Sequence, residues 1–241
     1  MIKLRTSYET KICFSDMDRD SKLSFGKMVD IMQNCMNIQS ESLGVGVEHQ
    51  MRTKRAWLLS SWQIEIHGHF KYNEDVIATT WPNRFRGAAG ERSSVIARKS
   101  NPSEYVVKAE SIWALFDFEK YSLVRITDED KEPYECEEMV DMDFVKGKIK
   151  RAQNYEKRDE FMVRKYHLDF NNHMNNAWHI KLAEEFVEDY SKVRKIRTEY
   201  KMQAVLGDVM EAYVSQEKDR LVVELRNKED KVYSVTEFTM A

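Results

Sequence analysis

"HLDFNNHMNNAWHI", residues 167–180, concentrates five Asn or Asp residues, with histidines among them, immediately before an apolar segment. Short polar side chains in that position start helices. The stretch has an earlier counterpart in "DRDSKLS", residues 18–24. Asp18, Asp20, Lys22, Leu23 and Ser24 match Asp169, Asn171, His173, Met174 and Asn175, every pair separated by the same 151 positions, as 18 and 169 are. The order of elements around the two stretches repeats as well, so duplication is the preferred reading.

Around the first copy, residues 8–14 ("YETKICF") predict an entering strand. Phe25, Met28, Ile31, Met32, Cys35, Met36 and Ile38 then recur at helical spacing, with Ser24 placed to cap the start and Gly44 to end it. Strand-like runs follow in "AWLLSSWQIEIHG", where Trp62, Ile64 and Ile66 alternate with Gln63 and Glu65, and in "DVIATTWPNRF", "RSSVIARKS", "EYVVKAESIWALFDF" and "YSLVRI". Residues 128–160 are highly charged and weakly patterned, a linker or crossing segment. Around the second copy, "EFMVRKYH" predicts a strand and "NAWHIKLAEEFVEDY" a helix burying Ala177, Ile180, Ala183, Phe186 and Val187. Four further strands are predicted in "KIRTEYKMQAV", "GDVMEAYVSQ", "RLVVELRN" and "KVYSVTEFTM". Each half is one long helix with an antiparallel run of strands, an α+β pattern.

Composition narrows the function classes. A net charge of −3 over 241 residues gives no global reason for nucleic acid or an anionic membrane. No apolar run reaches the roughly eighteen residues of a membrane span, and the start has no apolar signal core, so a cytoplasmic location is expected. Cys13, Cys35 and Cys136 lack metal-ligand spacing and read as free thiols.

One helix wrapped by an antiparallel sheet, twice over, is the hot-dog arrangement in tandem. With "LDFNNHMNN", "WLLSSWQIEIHGHFKYNEDVIATTWP" and "EYKMQAVLGD" in that order, the chain resembles the acyl-acyl-carrier-protein thioesterases of plants and bacteria over nearly its whole length. The family's D-x-N-x-H-x-N-N pattern falls on Asp169, Asn171, His173, Asn175 and Asn176. The resemblance implies hydrolysis of a fatty acyl thioester on acyl carrier protein, with free acid released. The charged segment divides the chain into an N-terminal hot-dog domain at 1–130, a linker at 131–160 and a C-terminal hot-dog domain at 161–241, and the resemblance implies that the first shapes the acyl pocket and the last carries the reacting residues. One departure stands out. Plant relatives read "EYRREC", with an important glutamate followed by cysteine, where this chain reads "EYKMQA", with Gln203 and Ala204. An amide cannot take a proton from water.

Thioester hydrolysis needs an activated water and a donor for the carbonyl oxygen as charge builds on it. Backbone amides at a helix start near Asn175 or Asn176 suit the donor role. Asp169, Asn171 and His173, at alternate positions, share one side if the backbone is extended. Asp169 is then the carboxylate that orients or deprotonates water. His173 polarises the carbonyl or shares the base role, since imidazole exchanges protons near neutral pH. Asn171 positions water or substrate, and Gln203 at most holds that water. The plain alternative for the acidic and amide residues is helix capping and Asx-turns.

Other motifs carry less. His67 and His69 form an H-x-H without a third ligand, so no metal is expected, and no cofactor. His167 and His179 read as packing or partly exposed residues. Asp16, Asp18 and Asp20 imitate a calcium loop, but Ser21 replaces its glycine and Lys27 its closing glutamate. With Lys22 opposite His173, that turn looks like a retired copy of the active one. Basic clusters at Lys146, Lys148, Lys150 and Arg151, and at Lys192, Arg194, Lys195 and Arg197, suit an acidic carrier protein, or simply a solvated face. The expected partners are therefore acylated acyl carrier protein and a fatty acyl chain. Rival readings are an acyl-CoA thioesterase and a non-catalytic acyl-binding protein whose base was lost at Gln203. Tandem halves can pair with each other, which leaves monomer and homodimer both open.

Overall fold

The computed structural model describes residues 5–241. Helix α1 (Phe25–Ser42) starts where Ser24 Oγ accepts the Lys27 amide, and it stops before Gly44, which takes a φ of 73°. Its buried stripe holds Phe25, Met28, Ile31, Met32, Cys35 and Met36, as the spacing predicts, with Val29 buried beside them. Ile38 departs from that expectation and is exposed, because Gln39 takes the next inward place. A short α2 (Val47–Thr53) follows.

Strands β1 (Thr6–Lys11), β2 (Arg55–Ile66), β3 (Asp75–Arg86), β4 (Ala89–Arg98), β5 (Asn101–Asp117) and β6 (Ser122–Leu123) complete the first half. Only two residues of the predicted "YSLVRI" run are strand. After α3 (Asp128–Lys131) come β7 (Glu156–Met162), α4 (Asn176–Glu184), β8 (Val193–Tyr200), β9 (Val209–Glu217), β10 (Arg220–Arg226) and β11 (Val232–Met240). β7 begins four residues before the predicted "EFMVRKYH" strand, and Lys165–His167 form a 3-10 turn instead of its end. α4 is shorter than the predicted helix. Ala177, Ile180, Ala183 and Val187 are buried as expected, but Phe186 is only partly so, because i−3 turns end the helix after Glu184.

All strands join one antiparallel sheet in the order β1-β3-β4-β5-β2-β8-β11-β10-β9-β7, with β6 on β5. The second half repeats the first strand for strand with its order reversed. The halves therefore meet about a pseudo-twofold axis at β2–β8, where Ser61–Glu65 pair with Glu199–Lys195. This is the tandem hot-dog fold. Both helices lie on the inner face, and one core joins Met28 and Ile64 to Ile180 and Ile196. On β2, Trp62, Ile64 and Ile66 point inward as predicted.

The outward Gln63 and Glu65 are covered by the charged segment after α3. It is a crossing strap: Gln63 exchanges hydrogen bonds of 2.7 and 2.9 Å with Val145, and Glu65 Oε1 accepts the Asp143 amide at 2.9 Å. The basic clusters are partly used up holding it. Lys195 pairs with Asp143, Arg197 donates to Gly147 O, and Arg151 forms a two-bond pair with Glu224. Lys146, Lys148 and Lys150 remain exposed. Among the described residues no helix is long and apolar enough to cross a membrane, and Cys13, Cys35 and Cys136 are unpaired thiols.

α1 and α4 cross so closely that a Cβ on Gly26 would lie 2.2 Å from Lys181 Cγ. Lys181 Nζ meets Asp30 Oδ2 at 2.8 Å, and these two residues are themselves 151 positions apart, one on each side of the axis. Beside them Glu184, 7% exposed, accepts the Phe25 and Gly26 amides at 2.9 and 3.2 Å.

Burial pushes the Glu184 carboxyl from its ordinary 4.5 up to about 8, against the lowering effect of those two amides. The folded chain thus keeps a proton that the unfolded chain releases near 4.5. Folding stability from this group is complete below that value and declines as pH rises towards 8. Glu110, pushed up to about 7 by burial, has the same sign. Denaturant unfolding of the parent and Glu184→Gln from pH 5 to pH 8 should show a smaller decline in the variant. Equal slopes would mean that Glu184 is ionised in the folded protein throughout.

Candidate active site

The two duplicated turns are built bond for bond alike. Asp18 N–H donates to Lys22 O at 2.7 Å, and Asp169 N–H to His173 O at 2.8 Å. Asp18 Oδ1 accepts the Asp20 and Lys22 amides at 2.8 and 2.9 Å, and Asp169 Oδ1 accepts those of Asn171 and His173 at 2.8 and 3.4 Å. Ser21 and Asn172 both take left-handed backbone, at φ 58° and 61°. Asp169, Asn171 and His173 are therefore not an extended row, as their alternate spacing suggested. They belong to an Asx-type turn closed by the Asp169 carboxylate, which the short Asn172 allows.

The capping alternative thus holds for half of Asp169, since one of its oxygens shapes the loop. The other oxygens differ between copies. Asp18 Oδ2 is buried without a hydrogen-bond partner, whereas Asp169 lines a cavity of about 600 Å³.

The helix start falls where expected. Asn175 is the N-cap of α4, its Oδ1 accepts the Ala177 amide at 2.9 Å, and Asn176 is the first helical residue. The segment after β8 runs beside the turn, with Met174 N–H donating to Ala204 O at 2.8 Å and His173 bridged to Val205. This places Gln203, an exposed residue, against the motif. Asp169, Asn171, His173, Asn175, Asn176 and Gln203 all line the same cavity. No hydrogen bond from the His173 ring to protein is formed among the described residues, so both ring nitrogens are available.

Other wall residues carry no motif and escape sequence reasoning. His179 lines the cavity fully buried, its Nδ1 3.0 Å from Ser234 Oγ, and burial pushes its pKa down to about 4, so it is neutral. Tyr200 donates to Asn176 O at 3.1 Å. Both His167 and His179 are packing residues, as expected, and both are buried.

The first half supplies the rest of the wall. Gln33, Met36, Asn37 and Ser40 come from α1, and Trp57, Phe85, Trp113 and Phe116 from the strands. Arg92 also reaches the cavity. Its guanidinium donates to Gln39 and to Thr80 Oγ1, burial lowers its pKa, and it forms no ion pair with a carboxylate among the described residues. His67 lies 3.4 Å from Glu65, and no group of metal-ligating side chains occurs among the described residues.

Comparison with known proteins agrees with this architecture. The Acyl-ACP thioesterase N-terminal domain family matches residues 3–134, and the Acyl-ACP thioesterase C-terminal domain family matches residues 150–239. The chloroplastic acyl-[acyl-carrier-protein] hydrolase FATB3 of Cuphea viscosissima is 22% identical over 234 residues, covering 91% of this chain and 56% of its own length. Oleoyl-acyl carrier protein thioesterase 2 of Arabidopsis thaliana is 22% identical over 181 residues, 69% of this chain and 49% of its own length. The chain thus spans about half the length of the curated relatives it matches. Among solved structures, an acyl-ACP thioesterase from Bacteroides thetaiotaomicron superposes with a TM-score of 0.88 at 17% identity, covering 98% of both chains. The 12:0-ACP thioesterase of Umbellularia californica gives 0.87 at 14%, covering 100% of this chain and 98% of its own. Matched in both halves by its two domain families, the chain belongs to the acyl-ACP thioesterase family.

Proposed function

We propose that the protein hydrolyses fatty acyl thioesters carried by acyl carrier protein, using a water activated by Asp169 and His173. The observation that carries this reading is a single cavity with the polar turn and the α4 N-terminus on one wall and an aromatic, methionine-bearing wall from the other half. The thioester carbonyl sits over the α4 N-terminus, where the Asn176 amide and the helix dipole favour charge on the oxygen. Asp169 Oδ2 or the His173 ring takes the proton as water attacks the carbonyl carbon. The tetrahedral species then expels the carrier's thiolate, which is reprotonated, and free acid remains. Asn171 holds water or substrate, and Gln203 can only orient that water.

The acyl chain runs along α1. Gln39, which holds Arg92, is six residues beyond Gln33, or about 9 Å along the helix axis. The partly buried Arg92 places a cation on that path, and the cavity wall continues past it to Ser40, Glu41 and Val47. For the carrier, Lys146, Lys148, Lys150 and Arg194 are cluster cations that stay exposed and outside any ion pair among the described residues, open to an acidic partner. With carrier-bound ester, kcat/KM should fall steeply between low and physiological salt, while the same acyl group on coenzyme A or a small thiol changes less. A salt response as flat for the carrier ester as for the small thiol would remove the electrostatic case for that partner.

The duplicate turn supplies an internal control. His173→Ala should lower kcat at least ~100-fold, the range of a lost acid–base group, whereas Lys22→Ala should leave it nearly unchanged. Equal losses would put the reacting residues in the wrong half.

Asp169→Asn is a sharper change than it first looks, because the amide keeps the Oδ1 acceptor that closes the loop and removes only the proton acceptor. It should abolish turnover in the natural sequence. Gln203→Glu should raise turnover at neutral pH and soften the Asp169→Asn loss, and a four-variant cycle measures that coupling. Near-normal kcat for Asp169→Asn alone would restrict Asp169 to shaping the turn and leave His173 as the base.

A further inference from the structure

The offset of 151 also pairs residues on the facing sides of α1 and α4. It maps Phe25 onto Asn176, Gly26 onto Ala177, and Gln33 onto Glu184. Because the helices cross about the pseudo-twofold axis, each of the last two reaches the N-terminus of the opposite helix. They do different things there.

Glu184 places one oxygen, Oε2, on the first two amides of α1, 2.9 Å from Phe25 N and 3.2 Å from Gly26 N. In the retired half the helix N-terminus is thus filled by an internal carboxyl oxygen. Gln33 does not fill α4 in this way. Its Nε2 donates to Asn175 Oδ1 at 3.4 Å, and its Oε1 accepts from Asn176 Nδ2 at 3.3 Å. Asn175 Oδ1 in turn takes the Ala177 amide. Among the described residues, the amide left without a partner is that of Asn176, the counterpart of the Phe25 amide on which Glu184 sits.

We infer that Gln33 is a positioning residue for the hydrolysis proposed above: by clamping the Asn175 and Asn176 side chains it keeps its own oxygen off the Asn176 amide and holds that amide open for the thioester oxygen. The inference rests on that functional reading and adds a contribution from the first half to the reacting end of the site. The chemistry requires an amide at this position. Glutamine has the donor that Asn175 Oδ1 needs and carries no charge. A glutamate would face Asn175 Oδ1 with lone pairs on both sides, and the helix dipole would draw it onto the free amide. It would then do at α4 what Glu184 already does at α1.

The test is Gln33→Glu, with Gln33→Met as a variant of similar size and Glu184→Gln as a control. In Gln33→Glu the Asn176 amide proton, followed by NMR, should move downfield and titrate with pH. Its kcat should fall ~100-fold with little change in KM, the size of one lost oxyanion donor, and the loss should deepen as pH rises and the new carboxyl ionises. Gln33→Met loses the clamp without filling the amide, so kcat should drop up to about tenfold and the Asn176 proton should not titrate. Glu184→Gln keeps an acceptor on Phe25 and Gly26 and should turn over like the parent.

An Asn176 proton in Gln33→Glu that matches the parent overturns the inference, as does a kcat within about threefold of the parent or above it. So does a Glu184→Gln loss as large as that of Gln33→Glu, which would point to damage of the helix pair. If the parent hydrolyses no thioester, the functional reading fails by itself, and the Asn176 resonance still decides the role of Gln33.

Discussion

The crossing of α1 and α4 is the constraint on which the rest of the structure depends. Each half-sheet has one face to bury and one helix to bury it with. Pairing β2 with β8 makes the two inner faces continuous, so the helices must abut, and Gly26 is what lets them come close enough. The Lys181–Asp30 pair sits at the crossing, relating each helix to its own image. A consequence follows from helix geometry alone. Near the axis, the N-terminus of either helix faces the second or third turn of the other, so a site built on a helix start here is necessarily composed by both halves.

The two halves repeat one backbone, yet their nearly identical turns have unlike contents. The backbone of the turn, its Asp closing bonds and its left-handed residue are kept in both copies, because they are what feed a strand into a helix at the required angle. The side chains that leave the turn are free to differ. Lys22 stands for His173, and Asp18 has a buried, unpartnered oxygen where Asp169 reaches the cavity. The helices diverge too. α1 runs 18 residues and α4 only 9, and the extra turns of α1 bring Met36, Asn37 and Ser40 to the cavity wall.

The parts of this fold legible in the sequence are those governed by local rules. Ser24 and Asn175 cap helices, Gly44 ends one, and Trp62, Ile64 and Ile66 alternate inward, because capping, φ and pleat act within a few residues. The constant offset conveyed the pseudo-symmetry. What was not legible depends on contacts far apart in sequence. The basic clusters looked like a surface for a partner, yet Arg151, Lys195 and Arg197 hold the crossing strap to the sheet. Gln33 carries no motif, and only the pairing of α1 with α4 shows what it touches. Alternate spacing is shared by strands and by Asx-type turns, so it does not distinguish an extended row of Asp169, Asn171 and His173 from the turn they form; Asn172, tolerant of positive φ, is the residue that does.

The departure at Gln203 gains meaning from the turn geometry. Two carboxylates at one site would repel each other, and one would be driven towards its neutral form. Under the proposed reading this chain has one, and it divides the labour of Asp169 between its two oxygens: Oδ1 closes the loop through the Asn171 and His173 amides, and Oδ2 is left for water. The bonds to Oδ1 fix the carboxylate and so orient the free oxygen, and the structural role supports the chemical one instead of competing with it. The shape of the turn needs only one oxygen acceptor, so a carboxylate in that place has a second oxygen to spare, and under the proposed reading that oxygen is the base where Gln203 cannot be one.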